Sequence, residues 1–226
     1  MKQNRIVEDR PLADGTFPFV AFEWTGKPDA DYLNEGIRKG RKPTRGANFT
    51  SADFVIRFRE KSGRIQVVLG EWKYTEEYGR NYKGAGQQGE TRRSTYAEFF
   101  KKNGGVFSAN TDIDRLYEAL FHEPFYQLMR LQLLAQEMQD RNEMDADSVS
   151  VLFICPEANE ALRSNVTSTY LRKRFPEKGV LETWKELVPR DRFKSIFVEE
   201  LLRKIEKTPA ADREWVDYLR RRYRWA

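Results

Sequence analysis

The stretch Asp53-Phe54-Val55-Ile56-Arg57-Phe58-Arg59-Glu60-Lys61-Ser62-Gly63-Arg64-Ile65-Gln66-Val67-Val68-Leu69-Gly70-Glu71-Trp72-Lys73 reads as two strands joined by a tight turn. Phe54, Ile56 and Phe58 share one face of the first strand, and Asp53, Val55 and Arg57 share the other. In the second strand Ile65, Val67, Leu69, Glu71 and Lys73 fall on one face, with Trp72 packed on the other, because side chains alternate with period two. Lys61-Ser62-Gly63 suits a three-residue hairpin loop with glycine in the left-handed position. That loop length pairs Glu60 with Arg64 and sets Asp53 opposite Glu71 on the same face. A slip of one residue would turn Asp53 to the wrong side. Glu71-Trp72-Lys73 is also the only place in the chain where an acidic residue is followed two positions later by lysine.

The composition narrows what such a hairpin can belong to. The chain has 226 residues, 39% hydrophobic and 13% aromatic, enough for a sizeable core in one domain spanning 1–226. No run approaches the ~18 to 20 apolar residues of a membrane span. The segment Met1 to Arg5 lacks the apolar stretch of a signal peptide, and one cysteine, Cys155, makes no internal disulfide. Both point to a cytoplasmic protein in a reducing compartment. A single histidine, His122, and no cysteine pair exclude two-histidine zinc motifs and a His-Asn-His nuclease site. The net charge of +5 sets 40 basic residues against 35 acidic ones, so clustering matters more than the total. Arg41-Lys42-Pro43-Thr44-Arg45, Arg172-Lys173-Arg174 and Arg220-Arg221-Arg222-Tyr223-Arg224 are candidates to track a phosphate backbone; each also reads as a solvated basic face.

The remaining chain predicts a mixed sheet flanked by helices, an α/β (α+β) class. Phe17-x-Phe19-x-Ala21 predicts a short strand, Asp29 to Arg38 a short helix, and Gly40 to Thr50 a basic loop. Tyr78 to Gly105 is polar and glycine-rich, with a helix predicted from Thr91 to Lys102. Thr111 or Asp112 caps a helix through Leu116, Tyr117, Leu120 and Phe121, and Pro124 kinks it or starts another. Leu128, Leu131, Leu134, Ala135 and Met138 recur at helical spacing. Val149 to Ile154 predicts a buried central strand closed by Pro156. Leu162 to Phe175 reads as helix, Phe193 to Val198 as strand, and Glu199 to Lys207 and Ala210 to Arg224 as helices.

An acid, a hairpin and then acid-x-lysine form the active-site pattern of metal-dependent nucleases of the PD-(D/E)xK kind, and Asp53 with Glu71-Trp72-Lys73 resembles it. The family's proline-aspartate pair reads Ala52-Asp53 here. The run Glu71-Trp72-Lys73-Tyr74-Thr75-Glu76, with Glu123-Pro124-Phe125-Tyr126-Gln127, is similar to a bacterial branch of restriction-endonuclease-like proteins. The resemblance covers about residues 30–156 and leaves the extension 157–226 outside it. It implies a core of helix, three-stranded meander, helix and strand, in which one meander strand is unaccounted for unless the stretch near Phe17 to Val20 supplies it. It further implies that Asp53, Glu71 and the backbone carbonyl of Trp72 bind Mg²⁺ or Mn²⁺, that Lys73 is the catalytic lysine, and that Glu35 is the best-placed further acid. Several such nucleases set a glutamine on a helix beside the site, which Gln127 resembles, with Gln132 as the neighbouring alternative.

Two kinds of partner follow. Gly84-Ala85-Gly86-Gln87-Gln88-Gly89 formally matches a dinucleotide-binding pattern, but no strand leads directly into it, so it predicts a flexible loop. On the nuclease reading that loop, with Arg80, Lys83, Arg92 and Arg93, closes over DNA, and Tyr74, Tyr78 and Tyr82 are candidates to stack on bases or contact phosphates. DNA is favoured over RNA on the resemblance alone, and double-strand cutting would favour a homodimer. Two other readings stand beside the nuclease: a nucleic-acid-binding module that kept the fold and lost catalysis, and a charged interaction domain in which the acid–lysine cluster is a surface salt bridge.

Overall fold

The computed structural model describes residues 5–6, 20–27, 30–36, 49–79, 81–102, 106–107, 112–208 and 212–223. Among these, six strands make one mixed sheet. The hairpin is its centre: β3 (Ala52–Arg59) and β4 (Ile65–Trp72) pair antiparallel from Arg59↔Ile65 to Phe54↔Gly70. Glu60 N–H donates to Arg64 O at 2.8 Å, and Gly63 takes φ +90°, the left-handed turn position. One further step of this register sets Asp53 across from Glu71, as the loop length predicts. β1 (Arg5–Ile6) and β2 (Val20–Trp24) share the outer edge of β3, both antiparallel. The third strand of the meander is therefore β2; it begins at Val20, and Phe17 to Phe19 lie outside the described residues. β5 (Ser148–Cys155) lies parallel to β4, and β6 (Phe193–Phe197) parallel to β5. Nearly every residue of β5 is buried, as its unbroken apolar run requires of a strand covered on both faces.

One sheet face carries Val55, Val67, Leu69, Val151 and Phe153 into the main core. There they meet α1 (Gly86–Lys102), α2 (Ile113–Ala119) and α3 (Phe125–Asp140), whose apolar residues bury most of its circumference. Asp112 caps α2 by accepting from Arg115 N–H, and Pro124 precedes α3, so the two helices are separate. The same core takes residues from α4 (Glu160–Ser164), α5 (Thr169–Arg174) and α6 (Val180–Leu187), including Leu162, Leu171 and Trp184. The opposite face seats Ile154 under Val198 and Leu202 of α7 (Val198–Glu206), with Leu219 of α8 (Arg213–Tyr223) packed alongside. No described helix is long and apolar enough to cross a membrane.

Four expectations are corrected. Residues 30–36 form turns in place of a helix: the Asp31 carboxylate accepts from Glu35 N–H at 2.8 Å and Gly36 N–H at 2.5 Å, and Asn34 sits at φ 56°. Residues 37–48 of the predicted helix and basic loop lie outside the described residues. Gly86 to Gly89 is the first turn of α1, where a flexible loop is predicted. A Cβ on Gly89 would lie 2.1 Å from the Gly84 carbonyl, so this turn closes onto the preceding backbone as only glycine allows. The helix predicted over 162–175 is two helices, because Ser168 caps α5 by accepting from Leu171 N–H. Finally, Trp72 lies on the face away from the core but is 37% exposed, not packed.

Candidate active site

Glu71 sits near the end of β4, and Lys73 N–H continues the ladder by donating to Ile154 O at 2.8 Å. This keeps Lys73 on the side of the sheet where Glu71 points. The two side chains meet there, with Lys73 Nζ 2.6 Å from Glu71 Oε1. Both are buried, Glu71 to 1% exposure. Asp53 comes from β3, and its Oδ2 accepts from Trp72 N–H at 2.6 Å. A strand residue's N–H and C=O point to the same side, so the Trp72 carbonyl also faces the Asp53 edge. The hairpin register thus gathers Asp53, Glu71, Lys73 and the Trp72 backbone at one end of the sheet.

The helix layer completes the site. Gln127, in the first turn of α3, donates Nε2–H to Glu71 Oε1 at 2.6 Å. Tyr78 donates its hydroxyl to Gln127 Oε1 at 3.0 Å, which fixes the amide's orientation. Gln132 is buried on the same helix with neither amide atom partnered among the described residues, so Gln127 is the glutamine joined to the site. Glu76 stands 3.8 Å from Lys73. Asn159 donates to the carbonyls of Tyr74 and Glu76, and Asn165 to that of Tyr78, so the C-terminal region pins the loop behind the site.

Electrostatics set the charges. Burial pushes the Glu71 carboxyl up to about 7, with Asp53 adding to the rise and Lys73 opposing it. Burial also raises Asp53, held back by the Trp72 amide and Lys73. For Lys73, burial favours the neutral amine, but the charge and hydrogen bond of Glu71 outweigh it and move the group up. Glu71 Oε2 is buried with no hydrogen-bond partner among the described residues. A buried carboxylate oxygen without a donor is costly, and a cation is one way to satisfy it.

Other predicted residues stand elsewhere. Glu35 spends its carboxylate on Thr50 N–H (2.5 Å), Thr50 Oγ1 (2.7 Å), Tyr96 Oη (2.5 Å) and Arg130 (3.1 Å), and no hydrogen bond joins it to Asp53, Glu71 or Lys73 among the described residues. Arg93 donates to the Gly84 carbonyl and lies 3.8 Å from Glu118; Arg92 donates to Lys83 O at 3.0 Å. Lys83 Nζ is 3.9 Å from Glu123 Oε1, and Arg80 lies outside the described residues. Cys155 is buried and its thiol is pushed up to about 11, which makes it a packing residue. Tyr78, expected to stack on a base or contact a phosphate, instead donates to Gln127. Arg130 and Glu123 were not anticipated as site neighbours; Arg130 follows Gln127 by three residues on one face of α3, a spacing that could have found it, whereas Glu123 precedes the helix.

A mixed sheet flanked by helices, built on a β2–β3–β4 meander, defines a restriction-endonuclease-like α/β protein. The chain belongs to the family described as restriction endonuclease associating with ARP, whose model matches residues 1–224. Comparison with curated proteins and with solved structures returned no match.

Proposed function

We propose that the protein is a metal-dependent nuclease that hydrolyses DNA phosphodiester bonds, with Asp53, Glu71 and the Trp72 carbonyl as metal ligands and Lys73 as the catalytic lysine. One observation carries this reading: Glu71 Oε2 is buried and has no hydrogen-bond partner among the described residues, while Oε1 is held by Lys73 and Gln127. The donor set fits Mg²⁺ or Mn²⁺. Among the described residues no three His, Cys, Asp or Glu side chains cluster to cage a metal. Two carboxylates and one carbonyl suit a hard ion that retains several waters. Such an ion, when bound, polarises the phosphate and acidifies a coordinated water.

The chain's own groups do the rest. Lys73, paired with Glu71, is an ammonium at neutral pH, so it acts as a hydrogen-bond donor to the attacking water or to a phosphate oxygen, and offsets charge that builds in the transition state. The water oxygen forms a bond to phosphorus as the bond to the leaving sugar oxygen breaks; the water's proton leaves to solvent, and the leaving oxygen takes one up. Gln127 positions Glu71 through Oε1, and Tyr78 positions Gln127. Family membership supports a nuclease, and DNA is the substrate its description implies.

Metal binding is tested by melting the protein with and without Mg²⁺. An ion at 100 times its Kd stabilises by about 2.7 kcal/mol. For a chain of this size that raises Tm by about 5 °C or more. Glu71→Gln and Asp53→Asn are expected to fold and to lose the rise. An equal rise in both variants would mean that the metal sits elsewhere.

A further inference from the structure

Beside the carboxylate–lysine pair lies a cavity of about 420 Å³, between the first turns of α1 and the start of α3. Lys83, Arg92, Glu123, Tyr126 and Arg130 contribute to its wall. It adjoins the site: the charge of Lys73 reaches Glu123, the charge of Glu123 reaches Tyr78, and Gln127 lies on α3 between Glu123 and Arg130. Arg130 is paired with Glu35. Lys83 Nζ, at 3.9 Å from Glu123, is too far for an ordinary hydrogen bond. Glu123 is only 8% exposed; the Gln127 backbone N–H supports its carboxylate, and its Oε2 is the one buried side-chain oxygen or nitrogen in the described wall left without a side-chain donor. A buried acceptor of this kind calls for a donor. With Lys83 and Arg130 close by, a neutral N–H suits the carboxylate better than a second metal ion, which the two cations would repel.

We infer, on the nuclease reading above, that this cavity receives one unpaired nucleotide of the substrate strand, with its phosphate on Lys83 and Arg92 and an exocyclic amino group of its base on Glu123. The volume falls in the range of small-ligand sites. Enzymes that hold an extruded base read its edge by hydrogen bonds and stack it against aromatic or apolar side chains. Tyr126 is only 6% exposed, its ring packed on Phe121 and under Arg130, so the flat surface offered to a base is the Arg130 guanidinium, 5.3 Å from that ring centre. Adenine and cytosine offer an amino donor, whereas thymine offers a carbonyl and a methyl group. Glu123 Oε2 is shielded from solvent, so entry requires a side chain to move. Lys83, with 28% of its side chain exposed on a flexible stem, is the neighbour able to do so.

The test is binding of short labelled oligo-dC, oligo-dA and oligo-dT to the full chain in EDTA, read by fluorescence anisotropy. The wild type is expected to bind oligo-dC or oligo-dA about tenfold tighter than oligo-dT, and Glu123→Ala and Glu123→Gln to narrow that gap to about threefold or less. Lys83→Gln is expected to weaken all three alike. Melting curves confirm that each variant is folded. Equal affinity of the wild type for the three, a gap unchanged in both Glu123 variants, or full affinity in Lys83→Gln would overturn the assignment. Adding Mg²⁺ to the same oligonucleotides separates the two readings: discrimination without cutting removes the nuclease and leaves the pocket, and cutting without discrimination does the reverse.

Discussion

Glu71 is held by opposing forces, and the balance is measurable. Burial penalises its charge, while Lys73 at 2.6 Å and the Gln127 amide favour it, and the net result is a carboxyl raised to about 7. The sign of its effect on stability follows. A carboxyl whose folded pKa exceeds its unfolded value of about 4.3 favours folding fully below that value and loses the contribution as pH rises through the folded pKa. The metal-free wild type should therefore lose up to about 3 kcal/mol of stability between roughly pH 4 and pH 8 through this one group. Glu71→Gln should flatten that part of the profile in urea unfolding at stepped pH. A profile just as steep in the variant would show that Glu71 does not carry the charge strain. With Mg²⁺ present the slope should reverse, because the ion takes the ionised carboxylate. At this scale the sequence was informative where chemistry and periodicity coincide. Asp53, Glu71 and Lys73 were legible because an acid-x-lysine at the end of an apolar strand has few structural reasons to exist. Glu123 was not, because a glutamate before proline carries no periodic signal and its missing partner appears only in three dimensions.

The hairpin and α1 show which elements a sequence reveals. The β3–β4 register followed from loop length and the two-residue period, since a slip of one residue would turn Asp53 away from the face of Glu71 and set Val55 and Leu69 on opposite faces. α1 was half hidden. Its first turn is Gly86-Gln87-Gln88-Gly89, a composition that argues for a loop, yet the helix forms because Gly89 closes onto Gly84. This predicts an inverted sign. Alanine within a helix ordinarily gains about 1 kcal/mol over glycine. Gly89→Ala should instead cost about 1–3 kcal/mol, because its Cβ would lie 2.1 Å from backbone that cannot easily shift. Chemical denaturation of the variant decides it; a gain in stability would mean that the close approach is absent. The turns at 30–36 were missed for a related reason: Asp31 caps two backbone N–H groups locally, which competes with the helix that spacing alone suggests.

The whole molecule is tied together at two places that no single segment discloses. One is the Glu35, Thr50, Tyr96 and Arg130 network, which joins the N-terminal turns, the entry to β3, α1 and α3. Removing one partner of such a buried pair leaves the other charge uncompensated, so Glu35→Ala should cost about 3–5 kcal/mol. A loss of activity without loss of stability would return Glu35 to the catalytic role that the family resemblance implies. The other place is the contribution of residues beyond 156. β6 extends the sheet, α6 places Trp184 in the main core, and Asn159 and Asn165 hold the loop after Lys73. Long-range contacts of this kind leave no local trace in the chain, and so the sequence resemblance ended where the sheet continues. The central claim remains the site at the end of the hairpin. Its most direct test is cleavage of plasmid DNA by the wild type and by folded Lys73→Met, in Mg²⁺ and in EDTA. The account predicts Mg²⁺-dependent cutting that EDTA abolishes and that Lys73→Met lowers by at least about a hundredfold. Cutting that persists in Lys73→Met, or in EDTA, would contradict it.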